Sequence, residues 1–140
     1  MIRLATKEDV DIILRLNKEG LGDFKWSYSR KYITRSISRG NYYVICRKND
    51  IIGAIKFYFC SHFLRINTLV VFNSYRGKGY AKKLMKFAIE IAKIKGYNRI
   101  QLASLTRSGV GGFYEKLGYE VVDEGPYYGR EYTIYEKRLK

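Results

Sequence analysis

The sequence predicts an α/β (α+β) fold: a mixed, mostly antiparallel sheet of about seven strands with one parallel pair, strands 4 and 5, flanked by about four helices. Three observations predict it. Residues 41–72 alternate with period two and are broken by turn residues, as antiparallel strands do. Leu69 to Ile94 passes from an apolar run through a glycine turn into a helical pattern. A further strand pattern at 98–105 follows that helix, and a strand-helix-strand crossover sets its two strands parallel.

In chain order, Ile2 and Leu4 alternate with polar neighbours as a first strand. Thr6 followed by Asp9 resembles a helix start, with Val10, Ile13 and Leu14 on one face and Gly20 and Gly22 at its end. Ser29 caps a second helix carrying Tyr32, Ile33 and Ile37, which Gly40 stops. Strands follow at Tyr42–Arg47, Ile51–Phe59 and Phe63–Phe72, then the third helix, in which Ala81, Leu84, Met85, Ala88 and Ala92 form the apolar face before Gly96. Asn98–Leu105 is the fifth strand, and Gly112–Leu117 is a short helix ended by Gly118. A closing hairpin pairs Tyr119–Val122 with Arg130–Arg138 around a Gly125-Pro126 turn.

The 140 residues are read as one domain, with 46% hydrophobic residues and a single proline. The N-terminus has no signal-peptide pattern, and no apolar stretch approaches the roughly 20 residues of a membrane span. A cytoplasmic protein with no membrane partner is expected. Cys46 and Cys60 are not a close pair, and one histidine makes no zinc constellation, so reduced thiols and no metal are expected. The net charge is +14, and it is uneven: residues 41–107 hold 13 basic and two acidic side chains, while residues 108–140 carry a net −1. A polyanionic partner near the glycine turn suits that distribution, and nucleic acid belongs to the same class. Among the N-terminal acids, Glu8, Asp9 and Asp11 suit a first helical turn, whereas Glu19 and Asp23 need another explanation.

The turn itself, Tyr75-Arg-Gly-Lys-Gly-Tyr-Ala81, leaves amide N–H groups uncovered at a helix start, which suits an anion. It is neither a Walker loop nor a three-glycine dinucleotide fingerprint. Three features occur together: Arg76-x-x-Gly79-x-Ala81 at the helix start, Phe113-Tyr-Glu-Lys-Leu-Gly-Tyr119 about one strand later, and a tyrosine-rich closing hairpin. With them the chain resembles the GCN5-related N-acetyltransferase family, over nearly its whole length in element order. The resemblance implies acetyl transfer from acetyl-coenzyme A to an amine in a ternary complex, by an acyltransferase needing no metal.

The resemblance also implies site residues. Arg76, Gly77, Lys78, Gly79, Tyr80 and Ala81 would hold the coenzyme A pyrophosphate, helped by the positive charge of Arg76, Lys78 and the helix lysines. The backbone of Leu69, Val70 and Val71 would bond the pantetheine arm and polarise the thioester carbonyl. Tyr114 matches the family's general acid; the other reading is a core tyrosine beside Phe113 and Leu117. Two departures stand out. Arg107 and Val110 replace the Asn and Ala of the family's Asn-x-x-Ala, with Gly109, Gly111 and Gly112 loosening the helix start, and Asn73 replaces the usual proline. No acid lies on the strand Phe63–Phe72. The general base is therefore left among Glu19, Asp23, His62 and a water chain.

On the acceptor side the resemblance puts Glu19, Asp23, Trp26, Tyr28, Tyr127 and Tyr128. Aromatic walls with a few carboxylates suit a primary amine on a peptide or protein N-terminus, a lysine or a small molecule. The run Phe113–Tyr119 followed by paired tyrosines is similar to the ribosomal-protein N-terminal acetyltransferase branch. Two alternatives remain: an aminoacyl-tRNA acceptor, and a non-catalytic basic RNA-associated domain on the same fold. A monomer and a homodimer are equally compatible with the sequence.

Overall fold

The structure is a computed structural model that describes residues 1–21, 29–106, 110–127 and 129–140. Its elements are β1 Ile2–Leu4, α1 Val10–Gly20, α2 Arg30–Ser38, β2 Tyr42–Arg47, β3 Asp50–Phe59, β4 Leu64–Val71, α3 Tyr80–Ile94, β5 Arg99–Leu105, α4 Gly111–Lys116, β6 Glu120–Tyr127 and β7 Arg130–Arg138. The strands form one seven-stranded sheet in the order β1-β2-β3-β4-β5-β7-β6. Its parallel pair is β4 with β5, as the crossover through α3 requires. Among the described residues, no helix is long and apolar enough to cross a membrane. The chain divides into two compact units: Met1–Phe57 with Thr68–Phe87, and Tyr58–Asn67 with Ala88–Lys140.

In the first unit a 3-10 turn at Lys7–Asp9 leads into α1. The Thr6 amide donates to the Asp9 carboxylate at 2.8 Å, and Arg3 pairs with that carboxylate at 2.8 Å. Burial pushes the Asp9 carboxyl up, but Arg3 and the Thr6 amide outweigh burial and hold it below the usual range. The buried face of α1 is Val10, Ile13, Leu16 and Asn17; Leu14, expected there, lies at its half-buried margin. Ser29 caps α2 as expected, its Oγ accepting from the Tyr32 amide at 3.3 Å, and Ile33 and Ile37 go into the core. Both helices pack on Val44, Cys46, Ala54 and Val70 of the strands. On α3, Leu84 and Met85 are buried while Lys82, Lys83 and Lys86 stay exposed, the amphipathic division its sequence shows.

In the second unit β5 pairs with β7 along its whole length, and β7 pairs with β6. Ile100, Leu102 and Tyr135 are buried, as are Ala88, Ile91 and Ala92 of α3. Buried Glu136 accepts from Gln101 Nε2 at 2.8 Å and Arg99 Nη1 at 3.2 Å, so its charge is compensated where it leaves water. The hairpin differs from expectation in one respect. Gly125 and Pro126 do not turn the chain; they lie within β6, opposite Tyr132 and Glu131, and the reversal falls next to Gly129. β6 ends the strand order, and a proline's missing N–H is tolerated on such an edge.

Gly53 sets how closely β3 approaches β4. A Cβ placed there would lie 2.8 Å from the Val70 carbonyl oxygen and 3.0 Å from Ile45 Cγ2. The carbonyl belongs to rigid backbone, so Gly53→Ala is expected to cost about 1–3 kcal/mol of unfolding free energy through overpacking. Urea denaturation would read this as a lower midpoint at unchanged slope.

Candidate active site

The end of β4 and the start of α3 are joined by a segment held at several points. The Phe72 amide donates to Ile52 O at 2.9 Å, and Asn73–Tyr75 forms a 3-10 turn closed by Tyr75 N to Phe72 O at 2.9 Å. The Asn73 amide donates to Glu19 Oε1 at 2.7 Å, and Arg76 Nε donates to Val71 O at 3.3 Å. Glu19, which the helix dipole of α1 does not explain, thus tethers the approach to the glycine turn. Asn73 can donate here because it is not the proline usual at this place.

Gly77 and Gly79 have φ of +75° and +89°, the left-handed region that other L-residues rarely adopt, and among the described residues no atom beyond the adjacent ones lies within 4 Å of a Cβ on either. Gly79 O accepts the first helical bond, from Lys83 N at 3.1 Å, so the preceding amides of α3 have no acceptor within the helix. The result is an open cradle of N–H groups at the positive end of a 15-residue helix. Its first turn contains no acid. Lys78 Nζ lies 5.7 Å from the Tyr75 ring centre and Lys83 Nζ 5.4 Å from that of Tyr80, and the two rings meet edge-to-face at 6.2 Å. Arg76 turns its guanidinium back toward β4, and its backbone amide donates to Asn73 O at 3.2 Å, so both are engaged away from the glycine cradle.

Leu69 is half-buried and Val70 and Val71 are buried at the end of β4. The parallel register of β4 with β5 ends at Ile66 and Leu102, although both strands run on, to Val71 and Leu105. Gly77, Lys78 and Gly79 are exposed, and Tyr80 and Ala81 are half-buried. The first unit thus brings every expected cofactor residue into one continuous stretch.

Tyr114 belongs to the second unit, on α4. Its ring lies 5.4 Å from that of Tyr135 and 6.3 Å from that of Tyr119. Burial, reinforced by Tyr135, pushes its phenol above the ordinary value, so it stays protonated at neutral pH. Burial and Tyr114 push the Tyr119 phenol up in the same way, and burial together with Glu115 and Glu124 raises that of Tyr135. Tyr135 Oη stands 2.6 Å from where a Gly111 Cβ would be, so the glycine at the start of α4 makes room for this hydroxyl. The sequence pattern does not mark Tyr119 and Tyr135 as neighbours of Tyr114. The signal is faint: Tyr119 lies five residues on, and Tyr135 arrives through the β7 register. His62 is exposed, and its carbonyl accepts from Arg99 Nη2 at 3.5 Å. Tyr127 donates to Asp123 Oδ2 at 3.0 Å and meets Tyr132 edge-on. Asp23, Trp26, Tyr28, Arg107, Gly109 and Tyr128 lie outside the described residues.

Residues 11–119 match the model of the acetyltransferase (GNAT) family. The chain belongs to that family. GNAT membership makes it an acyltransferase, and the strand order, the crossover and the glycine turn are the parts of that fold described above. No curated protein sequence shows significant similarity to it. Among solved structures, it is similar to the PaiA N-acetyltransferase of Thermoplasma acidophilum in complex with coenzyme A, at 23% identity and TM-score 0.86, covering 99% of this chain and 98% of that one. The Escherichia coli ribosomal-protein-S18-alanine N-acetyltransferase has TM-score 0.87 at 13% identity, over 100% and 94% of the chains. Arabidopsis thaliana Naa50, in complex with the bisubstrate analogue CoA-Ac-MVNAL, has TM-score 0.82 at 20% identity, over 99% and 98%.

Among the described residues, the Tyr119 hydroxyl is buried without a hydrogen-bond partner. Removing it in Tyr119→Phe deletes a desolvated group and no bond, so stability is expected to rise by about 1 kcal/mol at neutral pH. The raised phenol adds a pH dependence of known sign. Above the unfolded value of about 10 the unfolded chain releases this proton and the folded chain keeps it, so stability falls as pH rises. Chemical denaturation from about pH 9 to 11.5 should show a shallower fall in the variant than in the parent.

Proposed function

We propose that residues 1–140 act as one N-acetyltransferase domain that moves the acetyl group of acetyl-coenzyme A to the primary amine of a peptide or protein N-terminus. The observation that carries the donor half is the open cradle at Gly77 and Gly79, in a chain whose family match spans 11–119. A Cβ at either glycine would project into the space the cradle leaves free. Acetyl-coenzyme A supplies an acyl group activated as a thioester. As the amine nitrogen bonds to the acyl carbon and the C–S bond breaks, protons leave nitrogen and one reaches sulfur.

The chain's own groups divide that work. The amides from Gly77 to Ala81 take the pyrophosphate, with Lys78 adding charge. The backbone of Leu69, Val70 and Val71 holds the pantetheine arm and polarises the carbonyl. Tyr114, kept protonated by burial, gives the departing sulfur its proton and is recharged from solvent.

The choice of acceptor rests on three supports. The E. coli relative is named for the alanine of a ribosomal protein, and the Naa50 complex holds coenzyme A joined through acetyl to a peptide. The run Phe113–Tyr119 resembles that branch. With net charge +14, the chain repels free polyamines and favours an amine carried by something acidic. The same charge supports a second reading, in which the amine belongs to an aminoacyl-tRNA.

Acetyl-coenzyme A at about 100 times its Kd is expected to raise the melting temperature by about 5–10 °C. Gly79→Trp should lose most of that rise, while Gly79→Ala, equally strained at φ +89° but small, should keep part of it. An unmoved melting temperature in the parent protein would remove the cofactor assignment. With a peptide panel, small amines and charged tRNA as acceptors, transfer of labelled acetyl should be greatest to peptide N-termini.

Tyr114→Phe should lower kcat by about a hundredfold with the KM for acetyl-coenzyme A unchanged, since a positioned general acid contributes a factor of this order. Because burial raises the Tyr114 phenol, any alkaline loss of kcat that it controls should begin above about pH 10. Equal turnover in the two proteins across pH would take Tyr114 out of the mechanism.

A further inference from the structure

Within the first unit a cavity of about 360 Å³ opens between α1, the start of β3 and the segment that follows β4. Two of its lining residues are carboxylates, Glu19 and Asp50, and a third is Arg15. That composition is unusual for this chain, because Asp50 is one of only two acids in residues 41–107. Ile51, Ile52 and Phe72 supply an apolar wall.

Two of these charges are held in place. The Arg15 guanidinium lies 5.6 Å from the centre of the Phe72 ring, a cation–π arrangement, and Glu19 Oε1 is fixed by the Asn73 amide at 2.7 Å. Both side chains are therefore tied to the same segment, 72–73. Among the described residues, Arg15 forms no ion pair with Glu19 or Asp50. A guanidinium and two carboxylates that share a cavity without neutralising one another offer a carboxylate site beside an ammonium site. A small ligand carrying both charges answers both, and an α-amino acid zwitterion is one.

We propose that this cavity binds a free α-amino acid with an apolar side chain. Its carboxylate meets Arg15, its ammonium meets Asp50 and the free oxygen of Glu19, and its side chain lies on Ile51, Ile52 and Phe72. The volume is at the lower end of the range for small-molecule pockets, suited to a ligand of this size. One wall, 72–75, runs directly into the glycine turn. Resting on the acetyl-coenzyme A reading, the occupied cavity changes the affinity of that turn for its anion, and the effect is reciprocal.

The test is isothermal titration and thermal unfolding of the protein without acetyl-coenzyme A, using L-leucine, N-acetyl-L-leucine and L-leucinamide. L-leucine should bind saturably and raise the melting temperature. The derivatives, lacking the ammonium and the carboxylate charge respectively, should each bind at least tenfold more weakly. Arg15→Gln should weaken L-leucine at least tenfold while leaving the weak affinity for L-leucinamide unchanged, and Asp50→Asn should do the converse with N-acetyl-L-leucine. Because each variant is compared with itself, with and without ligand, a change in its intrinsic stability does not enter. No saturable binding of L-leucine up to about 50 mM, equal affinity for all three compounds, or an Arg15→Gln protein that binds L-leucine like the parent would each overturn the proposal. These results stand whether or not acetyl-coenzyme A binds, and only a second titration in its presence reports on coupling.

Discussion

The tethering of residues 71–76 is the constraint on which the candidate site depends. A helix N-terminus is useful as an anion site only if it is held where its amides point at one place. Here the hold comes from outside the helix: Ile52 O takes the Phe72 amide, Glu19 takes the Asn73 amide, and Arg76 closes back on Val71 O. The close passage of α1 over β4 belongs to the same arrangement. A Cβ on Gly20 would stand 3.0 Å from Val70 Cγ1, so the last turn of α1 reaches the tether only because that residue is small. Glu19, one residue earlier, owes its position to this close approach.

Electrostatics runs against the free protein at that point. Acids normally occupy the first turn of a helix, where they offset the dipole. α3 has none there and carries Lys82 and Lys83 instead, with Lys86 four residues after Lys82 on the exposed side. Like charges at that spacing cost a few tenths of a kcal/mol per pair, and cations at the positive end of the dipole add to the cost. A bound polyphosphate removes both penalties at once. In the proposed role of the turn, the binding energy would include the relief of repulsion as well as the new hydrogen bonds, and would decline with salt for the exposed lysines more than for the backbone amides.

The fold was legible because its periods are clean. Alternation in residues 42–72 and the apolar spacing of Leu84, Met85, Ala88 and Ala92 each permit one secondary structure, and the crossover rule then fixes the parallel pair. The Gly125-Pro126 pair misled because these residues favour turns locally, while on an edge strand the same pair costs no ladder bond. At the candidate site, the glycine turn at the start of α3 was legible because Tyr75 to Ala81 is one run of chain, whereas the part assigned to Leu69, Val70 and Val71 came from the family resemblance. The contacts of Glu19 with Asn73, of Arg15 with Phe72 and of Tyr135 with Tyr114 join residues from distant parts of the sequence. No local pattern encodes them. Arg76 shows the same limit, since its charge was readable and its direction was not.

The surroundings of Tyr114 bear on how large its contribution can be. Flanked by Tyr119 and Tyr135, the phenol is held above its ordinary value of about 10, whereas a thiol titrates near about 8.5. Transfer from phenol to a fully formed thiolate is then uphill by at least about 2 kcal/mol, at about 1.36 kcal/mol per unit. Tyr114 is a weak acid for this task, and the environment makes it weaker. What burial secures instead is that the proton is present at every turnover and that the group carries no charge to repel the leaving sulfur. Protonation during C–S cleavage, when sulfur is only partly charged, is the moment at which such a donor helps most. The thiolate is a tolerable leaving group in its own right, so in the proposed role the acid would quicken a step that does not strictly require it. Its removal should therefore reduce turnover without abolishing it.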